Sequence, residues 1–168
     1  IPAQLLQAAQ VIKIATLSPD GTSWMRAMRA AGDTIAKRSQ GRVVLRFYPG
    51  GVMGNDQSVM RKIRAGQLQG GAVTIGALAG VDKDIEIYGL PFLFHDLREV
   101  DQVRARMDTT LLQGLEKKGF IGFGFAEGGF AYFMSNRPLK TITDLQAGKV
   151  WAPEGDKISL TGFEAVGV

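Results

Sequence analysis

Residue types that carry chemistry are thinly spread in this chain. It has one histidine, His95, and no cysteine among 168 residues. The missing cysteines exclude disulfides, thiolate metal sites and cysteine nucleophiles. A lone imidazole does not make a His-rich metal centre. His95 sits in "FLFHDLREV", where His95 or Asp96 reads as a helix N-cap beside the first-turn acid Glu99. Asp82, Asp84 and Glu86 lie close together, in what reads as a loop-to-strand passage, and are expected to be solvated. There is no G-x-S-x-G, no paired histidine and no H-E-x-x-H. No nucleophile can be matched with a neighbouring base. The expectation is a protein without metal, cofactor or catalysis.

Glycine-rich stretches are the next candidates. "GFGFAEGG" spaces Gly122, Gly124 and Gly128 as G-x-G-x-x-x-G. A dinucleotide site needs a helix N-terminus after such a run, to hold the pyrophosphate. "FAYFMSN" follows instead and reads as strand, so the nucleotide reading fails on context. "PGGVMGN" does lead into a helix, and its N–H groups could meet an anion; a tight structural turn is the simpler reading. No G-x-x-x-x-G-K-[ST] is present.

The stretch at 128–156, "GGFAYFMSNRPLKTITDLQAGKVWAPEGD", is the most informative. Phe130 and Trp151 stand among glycines, turns and polar residues rather than in a regular apolar stripe. Such rings either pack at a hinge or face a ligand, and the second reading is preferred. Each would present on the order of 150–250 Å² to an apolar or ring-shaped solute. Glu127 and Glu154 flank them and could accept hydrogen bonds or pair with a cation. Two rings with acids also suit a quaternary amine. Trp24, after the "SPDGTS" loop, reaches either a cleft or the core. Thr74 and Tyr88 fall near expected strand ends, where open α/β sheets place ligands.

The elements that must position these residues follow from periodicity. "VIKIATL" reads as a strand. From Ser23 a helix runs to a basic, glycine-terminated stop, with Trp24, Met28, Ala31 and Ile35 inward. "RVVLRFYP" is a second strand, and "SVMRKIRAGQL" a helix burying Val59, Ile63 and Met60. "GGAVTIGALAG" reads as a buried strand and close turn. The order β-α-β-α-β predicts an α/β fold, a parallel doubly wound sheet with helices on both faces. Beyond it, "DIEIYGLPFLF" is expected to be extended. A long helix follows, carrying Leu97, Val100, Val103, Met107, Leu111, Leu112 and Leu115 on its apolar face. "FIGFGFAEGGFAYFMSN" and "KVWAPEG" are expected to be strand-rich, "RPLKTITDLQAG" a turn plus one helical turn, and "DKISLTGFEAVGV" a helix.

Composition bounds the partners. Twenty basic and sixteen acidic residues give a net charge of +4, with the two signs interspersed along the chain. That is not the clustered basic face of a nucleic-acid binder, and no nucleic-acid partner is expected. No run of about 18 apolar residues is present to span a bilayer. Residues 1–10, "IPAQLLQAAQ", read as the remnant of an export signal or as an unstructured N-terminal end.

A resemblance rests on several of these motifs. "VIKIATLSPDGTSWMRAM", "GRVVLRFYPGGVMGNDQSVMRKIRAGQLQGGAVT", "YGLPFLF" and "LEKKGFIGFGFAEGGFAYFMSN" resemble the extracytoplasmic solute receptors of tripartite ATP-independent periplasmic (TRAP) transporters, the DctP type. The most specific match is "RPLKTITDLQAGKVWAPEG", similar to R-P-I-x-x-x-x-D-L-K-G-x-K-[IV]-R-x-P. The resemblance covers about residues 11–168. It implies a two-lobed receptor in the periplasm of a Gram-negative bacterium, closing on a small organic solute that it hands to membrane permease subunits. Residues 11–126 would then supply lobe one, and residues 127–168 the crossover strand and the start of lobe two. The remainder would be absent, so the chain is expected to be a fragment, and a truncated lobe to self-associate.

Two departures bear on the ligand. Many members carry an arginine after the K-[IV] pair and a second before the R-P turn, forks that clamp a carboxylate. The matching positions are Trp151 and Phe130, whereas Arg137 matches the turn itself. Losing both forks predicts a neutral, apolar or aromatic, or cationic solute. A carboxylate receptor using other donors, an enzyme on a similar scaffold, and a self-associating interaction domain are the competing readings.

Overall fold

The computed structural model describes residues 8–153 and 156–168. It divides into two compact units, Ile1–Ala77 and Leu78–Val168.

The first unit is built on a parallel sheet. Strand β1 (Gln10–Thr16) lies between β2 (Val43–Tyr48) and β3 (Gly70–Ala72), in the order β2-β1-β3. Helix α1 (Ser23–Arg38) connects β1 to β2, and α2 (Asp56–Arg64) connects β2 to β3. Stepping outward one way and then back the other, with right-handed crossovers, puts the two helices on opposite faces. Side-chain alternation agrees. Ile12 pairs with Leu45 and Ile14 with Phe47, and this face meets α1 at Gly32. The other face carries Ala15, which packs with Val59 and Leu68 and is flanked by Tyr48, Met53, Ile63 and Val73. The doubly wound α/β expectation holds in this unit.

Side-chain caps start both helices, α1 at Ser23 as expected and α2 at Asp56, two residues earlier than the stretch "SVMRKIRAGQL". Thr22 caps α1 by accepting from the Met25 N–H, and Asn55 caps α2 by accepting from the Ser58 N–H. The "PGGVMGN" stretch is a structural turn. Gly50 and Gly51, both at positive φ, donate their N–H groups to the Ser18 and Thr16 carbonyls, at 2.9 and 3.1 Å.

The inward face of α1 differs from expectation. Met25 and Gly32 are buried, Trp24 and Met28 are half-buried, and Ala31 and Ile35 are exposed. Gly32 sets this phase. A Cβ there would lie 3.1 Å from the Phe47 ring, so its absence lets the helix settle on that line. "GGAVTIGALAG" differs too. Its strand stops at Ala72, and α3 (Ile75–Ala79) replaces the rest. Asp56 takes the Thr74 N–H at 2.9 Å, so that group cannot join the ladder.

The second unit is helical with long irregular connections. A 3₁₀ helix (Lys83–Gly89) precedes α4 (Leu97–Lys117), α5 (Ile142–Gln146) and α6 (Lys157–Ala165). Asp96, not His95, caps α4, and Glu99 in turn accepts the His95 N–H at 2.8 Å. Thr141 and Asp144 form a reciprocal capping box on α5. Ile85, Leu111 and Leu115 form the buried apolar positions. Three extended expectations are corrected. "DIEIYGLPFLF" begins as the 3₁₀ helix, started by Asp82 accepting the Asp84 N–H. "FIGFGFAEGGFAYFMSN" and the described part of "KVWAPEG" form no strand. A β-rich run becomes a strand only where another strand completes its hydrogen bonds. Asp82 is also not solvated: it is 5% exposed and pairs with Lys118 at 3.0 Å.

Candidate functional site

The carboxyl ends of the three strands gather the polar groups of the first unit. Thr16 ends β1, and its hydroxyl accepts the Ser18 N–H. The Ser18 and Thr22 hydroxyls lie 3.1 Å apart. After β3, Thr74 donates both its N–H and its hydroxyl to Asp56 Oδ2, at 2.9 and 2.7 Å. Asp56 itself is buried, and its Oδ1 has no hydrogen-bond partner among the described residues. A buried acceptor left single costs free energy unless a donor reaches it. Thr74 was legible as a strand-end residue, but Asp56 was not. An acid in the first turn of a helix is an ordinary dipole-favoured feature, and its partner is 18 residues away. Trp24 lies half-buried on the first turn of α1.

The second unit holds a denser polar cluster. Tyr88 lies within the 3₁₀ helix rather than at a strand end. Its hydroxyl donates to Asp108, and its ring meets Phe125 edge-on, with centroids 5.5 Å apart. Arg104 donates to Asp108 at 3.2 Å, to the Phe125 carbonyl at 2.7 Å and to Glu127 at 2.8 Å. Partial burial, then the hydrogen bond to Asp108, pushes the Tyr88 phenol well above its usual range. Partial burial opposes the Arg104 charge, but the Glu127 and Asp108 carboxylates outweigh it and raise its pKa. Tyr88 and Glu127, chosen separately from sequence, are therefore joined in one chain of hydrogen bonds, Tyr88 to Asp108, Asp108 to Arg104 and Arg104 to Glu127. The Glu127 carboxylate is engaged rather than free.

The two ring positions stand apart from that cluster. Trp151 is 82% exposed and Phe130 39% exposed. Among the described residues the ring–ring contacts are Tyr88–Phe125 and Phe133–Phe163, which leave both out. Neither ring is packed into a core. Glu154 lies outside the described residues. An open groove of about 550 Å³ lies beside the R-P turn, lined by Phe133, Arg137, Lys140, Ile142 and Leu145 among others. None of the six candidate residues that are described lines it. Arg137 is committed to the turn: it donates to the Asp144 carbonyl at 2.9 Å and packs where a Cβ on Gly148 would stand.

Among the described residues, no group of three or more acids or histidines could hold a metal ion. No described helix is long and apolar enough to cross a membrane.

Comparison with known proteins supplies the context. Residues 14–168 match DctP, the bacterial extracellular solute-binding protein family 7. The chain is 24% identical over 162 residues to the 2,3-diketo-L-gulonate-binding periplasmic protein YiaO of Escherichia coli, covering 95% of this chain and 49% of that one. A TRAP periplasmic solute-binding protein of Pseudomonas putida, solved with D-glucuronate bound, superposes with TM-score 0.85 at 22% identity, over 94% of this chain and 52% of that one. A second, from Ochrobactrum anthropi, superposes with TM-score 0.73 at 27% identity, over 95% of this chain and 50% of that one. The chain thus spans about half the length of these relatives. With a family match over residues 14–168 and the α/β topology of TRAP solute receptors, the chain belongs to the DctP family of bacterial extracellular solute-binding proteins.

Proposed function

We propose that this chain is part of a periplasmic TRAP receptor for a neutral, apolar or aromatic, or cationic organic solute. One observation carries the ligand class. The positions where many members of the family hold carboxylate-clamping arginines are Phe130 and Trp151, and Trp151 leaves 82% of its surface exposed. An indole held at the surface by no ring partner is available for a flat or apolar solute in a way that a packed hinge residue is not. In this reading residues 11–126 belong to lobe one, and residues 127–168 to the crossover and the start of lobe two. Trp151 and Phe130 line the site and Glu154 borders it, while within the first unit Asp56 holds Thr74 at the carboxyl edge of the sheet.

The receptor performs no reaction. The solute stabilises a closed state through its greater affinity for that state, and permease subunits in the membrane read the closed shape. Periplasmic location follows from the same reading, since relatives such as YiaO are periplasmic.

One observation favours a second reading, a carboxylate receptor using donors other than those two positions: the Pseudomonas putida neighbour holds D-glucuronate. Calorimetric titration of the intact protein separates the two. The probes are D-glucuronate and L-malate as carboxylates, phenyl β-D-glucopyranoside as a neutral aryl solute, and choline as a cation. The proposal expects the aryl or cationic probe to bind, and Trp151→Ala to weaken that binding by about ten-fold or more. Tight binding of D-glucuronate or L-malate by the wild type, undiminished in Trp151→Ala, would overturn it in favour of the second reading.

A further inference from the structure

We infer that Arg104 is a positioning residue, whose guanidinium fixes the irregular segment leading to Phe130. The inference rests on the proposed role of Phe130 for its functional meaning, but its structural content stands on separate observations.

Residues 120–131 have no strand partner among the described residues, and they include Gly122, Gly124, Gly128 and Gly129. Gly124 and Gly129 both adopt positive φ, at 146° and 93°. Such a segment has no ladder to hold it and a large backbone entropy to lose. Its order must come from side chains that reach it from regular structure. Gly122 packs flush on Leu112 of α4, with no room for a Cβ between them. Further along, Arg104 of the same helix binds the Phe125 carbonyl at 2.7 Å and the Glu127 carboxylate at 2.8 Å. The guanidinium is itself held one helical turn on, by Asp108 at 3.2 Å. Asp108 also accepts from Tyr88, whose ring closes on Phe125.

One planar fork therefore ties a helix to a main-chain carbonyl and a side chain 21 and 23 residues away. The Arg104 side chain is 25% exposed, so water screens these bonds less than it would screen a surface pair. Phe130 follows Glu127 by three residues, and the tether sets where that ring begins its excursion. Lysine cannot replace it. An ammonium is a point donor and does not span three acceptors in one plane.

The test is limited proteolysis of the intact protein, with cleavage sites read by mass spectrometry, in the wild type, Arg104→Ala, Arg104→Lys and Glu127→Gln. Arg104→Ala should raise the cleavage rate over residues 121–131 by about ten-fold or more, with smaller rises in Arg104→Lys and Glu127→Gln. Cleavage in the first unit should stay unchanged. Unchanged cleavage over 121–131 in Arg104→Lys and Glu127→Gln would overturn the inference, as would an equal rise at every site. The two milder variants keep the test decisive if Arg104→Ala fails to fold. A titration of Phe130→Ala with phenyl β-D-glucopyranoside separates the two layers. Local loosening in the Arg104 variants with no affinity change in Phe130→Ala leaves the tether standing and removes the ligand role of the ring.

Discussion

The two units use similar residues to opposite ends. In the first, each strand has a partner, and the apolar side chains between sheet and helices are spent on one another: Ala15, Val59 and Leu68 are each 1% exposed. In the second, an equally apolar stretch from Phe120 to Met134 and the lone Trp151 form no strand, and Phe123, Tyr132, Met134 and Trp151 stand largely in solvent. Composition alone does not separate these outcomes. The presence of a neighbouring strand to complete the backbone hydrogen bonds does. The first unit is thus a scaffold whose residues are read by their packing. The second keeps its buried apolar positions on helices and leaves several rings exposed.

The difference can be broken most forcefully in the scaffold. Met25→Ala, at a fully buried site on α1, should cost about 2–5 kcal/mol in denaturant unfolding. A loss below about 1 kcal/mol would mean that the α1 face is not packed as described. Asp56→Ala strips Thr74 of the acceptor for both its N–H and its hydroxyl, and should cost about 1.5–3 kcal/mol by the same measurement. In the second unit, Gly114→Ala tests the closely packed junction with Asp82. Alanine normally stabilises a helix interior relative to glycine, by about 1 kcal/mol. At Gly114 the added methyl would run into the Asp82 carboxylate, so a net loss of about 1–3 kcal/mol is expected instead.

A smaller effect follows acid. The Lys118 ammonium, and then the Asp84 N–H, hold the Asp82 carboxyl below its usual pKa. A depressed carboxylate pKa contributes stability above the unfolded value of about 3.9, and that contribution is lost as pH falls through the lower folded value. Asp82→Asn should therefore flatten the acid limb of a stability–pH curve below about pH 4, and leave the slope near neutrality unchanged. The smallest effect on folding belongs to the exposed ring. Trp151→Ala should move stability by less than about 0.5 kcal/mol. A larger loss would return the indole to the packed interior and dissolve the contrast between the units.

Much of the scaffold was legible because its signals are local. The Asp96 cap, the helical turn in "RPLKTITDLQAG" and the alternating periods of the β-α-β-α-β stretch are each written in neighbouring residues. What stayed hidden is set by distance along the chain. The phase of α1 is decided by Phe47 meeting Gly32, the end of β3 by Asp56 meeting Thr74, and the course of the glycine segment by Arg104 meeting Phe125 and Glu127. Periodicity has no access to such pairs. Tyr88 and Glu127 were singled out for reasons of their own, and the sequence gives no hint that Asp108 and Arg104 link them. Glu154 lies outside the described residues, and its part in the site rests on the proposal.

The central claim concerns what meets the solute: ring faces instead of guanidinium forks. Native mass spectrometry of the intact protein, purified from its source without added ligand, addresses it most directly. The account predicts a retained small molecule that is neutral or cationic and carries an apolar or ring-shaped body. A retained sugar acid or dicarboxylate would contradict it.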